Sequence, residues 1–213
     1  MYKTLLIGML ILTCTSLAAA QSDDYKKFEF FAGYSHNRVD TGIGDDDPDV
    51  QDIIDERVGF HGFNTSVTGN VTRYVGLKFD FSGHFKSDTF PLGTIPNAVD
   101  LKSRLYNFLG GVQIKNNSSD VTFKPFAHAL VGAAHARNRV DIRDVGCIAI
   151  FPSPCPVSET LNETGFAAAF GGGIDIRASN RIDIRVIQVD YNPTRLFDST
   201  QHNFRIGVGI VFH

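Results

Sequence analysis

Residues 74–86, YVGLKFDFSGHFK, place Val75, Leu77, Phe79, Phe81 and Phe85 on one face of an extended chain and Gly76, Lys78, Asp80, Ser82 and His84 on the other. The last segment repeats the pattern, with Phe204, Ile206, Val208, Ile210 and Phe212 against Arg205, Gly207 and Gly209. A period of two is the period of a β-strand. The composition of the two faces then limits the architecture further. Such strands can close around a ligand with the apolar side inward, as in a soluble lipocalin-like barrel, or face lipid with the apolar side outward. The charged and glycine-rich phase is the one suited to a filled interior. A long apolar series facing water would be penalised at ~25 cal/mol per Å², so the alternation favours lipid outside.

Further segments follow the same rule. Phe28, Phe30, Ala32 and Tyr34 oppose Glu29, Phe31, Gly33 and Ser35, and Tyr106, Phe108 and Val112 oppose Asn107, Gly111 and Gln113. Residues 123–137 are rich in Ala and Gly and hold His128 and His135 in opposite phases, which sends one of the two to the rim. Phe166, Phe170, Ile174 and Ile176 oppose Gly171, Gly173, Asp175 and Arg177. Ile182, Ile184 and Val186 oppose Asp183 and Arg185, after which Ile187, Val189 and Tyr191 reverse the phase, predicting a β-bulge near Val186–Gln188. With residues 59–68 the count reaches about eight strands. The connections alternate: 37–58, 87–100, 138–163 and 192–202 are long, while 69–73, 115–122 and 178–180 are shorter. Short periplasmic turns and longer extracellular loops are the habit of outer-membrane barrels, which puts both chain ends in the periplasm. The expected fold is all-β, an eight-stranded antiparallel up-and-down transmembrane β-barrel.

The beginning of the chain reads differently. Lys3, an apolar run from Leu5 to Leu12 and the small residues Ala18-Ala19-Ala20 predict a signal peptide over 1–20, leaving one barrel domain over 21–213. No later segment approaches the ~20 apolar residues of a membrane helix, so a bilayer could be crossed only by a closed barrel. A net charge of −3 gives no basic footprint for nucleic acid. Beyond residue 20 only Cys147 and Cys155 remain, and export to an oxidising compartment favours a Cys147–Cys155 disulfide over two free thiols or a transient metal contact.

Four stretches, FEFFAGYSHNR, GFNTSVTGNVTRYVGLKFDFSGHF, FKPFAHALVGAAHAR and IDIRVIQVDYNPTR with HNFRIGVGIVF, give the chain its likeness to a known group. It resembles the small outer-membrane β-barrel family that includes the membrane domain of OmpA, OmpX and the opacity-type adhesins. The resemblance implies an outer-membrane location, contact with outer-membrane lipid and the barrel-assembly machinery, and roles as anchor, adhesin, serum-resistance factor or narrow channel without a shared catalytic site. Arg205, Gly207, Ile210 and Phe212 look like the family's C-terminal assembly signal, with His213 where the terminal Phe is usual. The chain is expected to lack the periplasmic peptidoglycan-binding domain that some relatives append.

An eight-stranded barrel has an interior just wide enough for side chains. Glu29, Lys78, Asp80, Asp175, Arg177, Asp183, Arg185 and Arg205 share the inner phase and are expected to form a paired polar plug, the alternative being a gated, narrow porin-like channel. Asp80, Ser82 and His84 share a strand face as a hydrolase triad might, but same-face neighbours stand ~7 Å apart, too far for a nucleophile and its base. His36, His61, Asp88 and His202 are the other candidates for rim chemistry. No catalytic, metal or cofactor site is expected. The acidic run Asp45-Asp46-Asp47-Pro48-Asp49, with Asp52, Asp55 and Glu56, lacks EF-hand spacing and reads as a solvated loop with at most weak affinity for divalent cations. Binding specificity, if present, belongs to loops 37–58 and 138–163, the latter braced by Pro152, Pro154 and Pro156, on a chain expected to be monomeric. Tyr34, Tyr74, Phe85, Phe123 and Tyr191 suit interfacial girdles.

Overall fold

The computed structural model describes residues 25–40, 57–92, 95–118, 120–142 and 157–213. The expected signal peptide, the acidic run and the two cysteines lie outside the described residues. Eight strands follow in order: β1 Phe28–Asp40, β2 Arg57–Asn70, β3 Val75–Leu92, β4 Ile95–Lys115, β5 Phe123–Ile142, β6 Val157–Arg177, β7 Ile182–Leu196 and β8 Ser199–Phe212. Each pairs antiparallel with its neighbour in sequence, and β1 pairs with β8 to close the barrel. Closure leaves no open sheet edge in the membrane-crossing part, which is the condition for putting a β-structure in lipid.

The alternation sets which residues face out. Phe79 is 71% exposed while Lys78, on the same strand, is fully buried. Phe28, Phe30, Leu77, Phe108, Ile114, Phe123, Phe166 and Phe170 continue the exposed apolar surface around the barrel. The expected bulge is present. Against β8 the register of β7 shifts between Arg185 and Gln188, and Val186 and Ile187 both point outward, so the charged phase resumes inside at Gln188 and Asp190. His128 is buried in the lumen, whereas His135 lies on the other face, its Nδ1 2.8 Å from the Thr164 hydroxyl.

Two segments expected as loops are paired strand instead. Residues 87–92 and 95–100 continue β3 and β4, and 192–196 and 199–202 continue β7 and β8. The ends of β5 and β6 likewise run to Ile142 and from Val157, into the segment expected as loop 138–163, and those of β1 and β2 run to Asp40 and from Arg57, into the segment expected as loop 37–58. A crossing needs only ~9–11 residues, whereas β4 and β6 have 21 each and β5 has 20. Beyond the bilayer the outer face of a strand meets water instead of lipid, so the pairing continues without apolar alternation to report it.

The β7–β8 hairpin turns on Phe197 and Asp198, at φ 54° and 57°. Two consecutive left-handed residues between paired strands make a type I′ turn, whose twist matches that of the strands. Neither residue is glycine, so the turn holds unfavourable backbone energy. At the opposite end the connections are 71–74, 116–122 and 178–181. The segment before β1 lies across that end: the Lys26 amide donates to the Asn117 carbonyl, and the Asn70 side chain donates to the Lys26 carbonyl at 2.7 Å. Replacing Asp198 with Gly is expected to raise stability by up to about 1 kcal/mol, measured as a higher urea midpoint for the refolded barrel in micelles.

Candidate functional site

The interior is a charge network. Arg205 on β8 donates to Asp80 of β3 at 2.8 Å and to Asp190 of β7 at 2.6 Å, which ties three strands together across the lumen. Lys115, the last residue of β4, donates to Glu29 of β1 at 2.8 Å and Asp175 of β6 at 2.9 Å. Arg185 reaches both oxygens of Asp175, at 2.8 and 3.0 Å, and its guanidinium lies between the rings of Phe31 and Phe126, 4.2 and 4.1 Å from their centroids. Lys124 donates to Asp183 at 2.8 Å, and His213 Nε2 stands 2.9 Å from the same carboxylate. Lys78 Nζ lies 3.3 Å from His128 Nδ1, and His128 Nε2 lies 2.9 Å from Asp190. Among the described residues, the buried lumen cations Lys78, Lys115, Lys124, Arg185 and Arg205 equal in number the buried lumen carboxylates Glu29, Asp80, Asp175, Asp183 and Asp190. Charges removed from water need this kind of compensation.

Seven of the eight expected lumen residues, Glu29, Lys78, Asp80, Asp175, Asp183, Arg185 and Arg205, are buried. Arg177, the last residue of β6, is half-buried at the mouth, and its guanidinium donates to Asn180 Oδ1 in the following turn. Sequence reasoning missed Lys115, Lys124, His128 and Asp190 as members. Lys115 and Lys124 continue the inner phase of Gln113 and His128 to the strand ends, and Asp190 falls inside once the phase is carried across the bulge. A second layer was also not foreseen: Val39, Phe60, Leu105, Leu109, Leu130, Ala134, Ala136, Ala167, Ala169 and Leu196 form an apolar cluster inside the barrel, concentrated toward the end opposite the short turns. Room for the network depends on glycine. A Cβ on Gly171 would stand 2.3 Å from Asp190 Oδ1 and 2.2 Å from the Val189 carbonyl oxygen.

The side chains weighed for hydrolysis are otherwise engaged. Asp80 accepts from Arg205 and Asn64, Ser82 accepts from Asn107 at 3.3 Å, and His84 Nε2 lies 2.9 Å from the Ser35 hydroxyl. On the outer face the rings of His36 and His61 are 4.8 Å apart, and His61 Nδ1 is 2.5 Å from the Tyr34 hydroxyl. His202 Nδ1 is 2.5 Å from the Tyr191 hydroxyl, and Asp88 pairs with Lys86 at 3.4 Å. Among the described residues no group of three or more His, Cys, Asp or Glu has the arrangement of a metal site.

A closed eight-stranded barrel with an apolar exterior and a charged interior is the geometry of the family described as outer membrane protein beta-barrel domain, which matches residues 7–212. The chain belongs to that family. Barrels of this family reside in the bacterial outer membrane, so the short-turn end, where Tyr25 and His213 lie, is periplasmic and the strand extensions face the cell exterior. Among solved structures, the chain is similar to Ail, the attachment invasion locus protein of Yersinia pestis, with 18% identity, TM-score 0.54, and coverage of 87% of this chain and 97% of Ail. It is also similar to Neisserial surface protein A, with 10% identity, TM-score 0.51, and coverage of 89% of this chain and 99% of that one. Comparison with curated proteins finds no match.

In this outer-membrane barrel, Tyr74 and Phe123 are exposed at the short-turn ends of β3 and β5, and Tyr34 and Phe85 are exposed part-way along β1 and β3. Phe81 packs on Phe63, Tyr106 and Phe108, and Phe85 meets Tyr106 edge-on, giving an aromatic belt on β2–β4. Above the belt Asp141 accepts from Ser158 at 2.7 Å and Arg139 at 2.8 Å, and these bonds hold its carboxyl below the ordinary carboxylate range. At the C-terminus, Arg205 and Gly207 are buried while Ile210 and Phe212 face outward. Substituting Arg205 with Leu strands Asp80 and Asp190 as buried charges and is expected to destabilise the barrel by about 3–5 kcal/mol. Urea unfolding in micelles would measure this. Gly171→Val is expected to abolish the folded, heat-modifiable band in SDS electrophoresis, because the new side chain collides with Asp190 and with backbone.

Proposed function

We propose that this barrel acts as a surface-interaction protein: its lumen is closed to solutes, and binding takes place on the extracellular strand extensions and on loops 37–58 and 138–163. The observation that carries this reading is the filled interior, where ion pairs joining β1, β3, β4, β6, β7 and β8 lie below an apolar cluster that includes Leu105, Leu130 and Leu196. A solute would have to break several buried pairs and then displace the packed side chains around Leu105, Leu109 and Leu130, both costly steps. The long β3–β6 extensions supply a rigid platform outside the bilayer, the position at which specificity is ordinarily carried. Ail, a protein of similar fold named for attachment and invasion, has been crystallised with the heparin analogue sucrose octasulfate, so the scaffold is compatible with a surface role. The reading includes a monomer, docking of Arg205, Gly207, Ile210 and Phe212 to the barrel-assembly machinery, and a non-enzymatic chain.

Planar-bilayer recording of the refolded barrel tests the closed lumen. No stepwise conductance above the protein-free baseline is expected. Reproducible steps abolished by Leu130→Trp would favour the narrow porin-like channel instead.

A further inference from the structure

On the outward face of β4 and β5 the cross-strand partners are Tyr106 with His135, Arg104 with Arg137, Lys102 with Arg139, and Asp100 with Asp141. Two successive rows therefore set cation against cation. Directly opposed like charges destabilise a sheet, since their Cβ atoms are only ~5 Å apart. The flanking strands do not offset this on the same face: the β3 partners of Arg104 and Lys102 are Phe85 and Ser87, and the β6 partners of Arg137 and Arg139 are Asn162 and Thr160. Asp141 serves the outer row, 2.8 Å from Arg139 and 3.6 Å from Lys102, and Asp100 accepts from Thr89 at 2.9 Å. Arg104 and Arg137 are both exposed.

The depth of these rows identifies what they meet. Tyr106 packs against Phe81 and Phe85 in the aromatic belt that marks the edge of the apolar band. Arg104 and Arg137 lie two residues farther out, ~7 Å along the strands, at the level of lipid headgroups in the outer leaflet. From these positions we infer that Arg104 and Arg137, supported by Lys102 and Arg139, bind the phosphate of a phosphorylated outer-leaflet lipid. Paired guanidinium groups match phosphate oxygens in bidentate geometry, and a bound anion turns the repulsion between the two arginines into shared attraction. The inference goes beyond the loop-mediated role and needs only the outer-membrane location.

The test uses the chain refolded in zwitterionic detergent micelles, titrated with diphosphoryl lipid A, dephosphorylated lipid A, inorganic phosphate and sucrose octasulfate. Diphosphoryl lipid A is expected to bind wild type about tenfold or more tightly than R104Q/R137Q, on the scale of two cations at a charged headgroup. R104K/R137K should keep part of that affinity. The dephosphorylated lipid should bind wild type and R104Q/R137Q alike, and inorganic phosphate should fail to compete. Without lipid, R104Q/R137Q should unfold at the same or a higher urea concentration than wild type, because a repulsive pair has gone; a purely structural role predicts the opposite. Equal affinity of wild type and R104Q/R137Q for diphosphoryl lipid A would overturn the proposal. So would a difference seen with sucrose octasulfate but not with the lipid, which would assign the cations to a sulfated saccharide instead.

Discussion

Lipid offers backbone amides and carbonyls no hydrogen-bonding partner, so a chain that crosses it with strands must pair every strand on both sides. Here that requirement is met by β1 and β8, whose register from Phe30↔Phe212 to Arg38↔Phe204 seals the sheet. Other features follow from the closure. Eight strands leave a narrow interior, the alternation sends half of each crossing into it, and the residues sent inward must be compatible in charge and volume. Among the described lumen residues, equal numbers of buried cations and buried carboxylates are the solution reached by this sequence. Glycines such as Gly171 supply the space that the long side chains need.

The interior is not uniform. Toward the periplasm it is held by Lys115, Lys124, Arg185 and their acidic partners, and near mid-barrel by Arg205 between Asp80 and Asp190. Toward the exterior Leu105, Leu130 and Leu196 replace charge with apolar contact. The two regions act by different physics. Ion pairs specify which strands face each other, since Lys115, Lys124 and Arg205 each bond a carboxylate on a non-adjacent strand, while the apolar cluster excludes water without such specificity.

How far the sequence revealed this depends on where lipid acts on it. β3 and β8 were legible because Leu77, Phe79, Ile206 and Val208 must face hydrocarbon while Lys78, Asp80 and Arg205 cannot. The bulge at Val186–Ile187 was legible for the same reason, as a break in phase that one extra residue repairs. The strand extensions were not, because beyond the bilayer neither face of residues 87–92 or 95–100 is selected for apolarity, and cross-strand pairing leaves no mark on a single sequence. Lys115 and Lys124 were overlooked at strand ends, where side chains of either phase commonly meet water. The apolar inner cluster was hidden because Leu105 and Leu109 occur in the inner phase, against the charge rule that holds elsewhere.

The sequence separations of the lumen pairs bear on how such a barrel enters a membrane. Lys115 bonds Glu29 across 86 residues and Arg205 bonds Asp80 across 125. An open sheet spread in lipid would hold these groups apart, each an unpaired ion in a medium that cannot solvate it. A sheet already curled brings them together before hydrocarbon surrounds them. The polar lumen therefore disfavours strand-by-strand insertion and favours a route in which curvature precedes burial. Wall and filling must mature together.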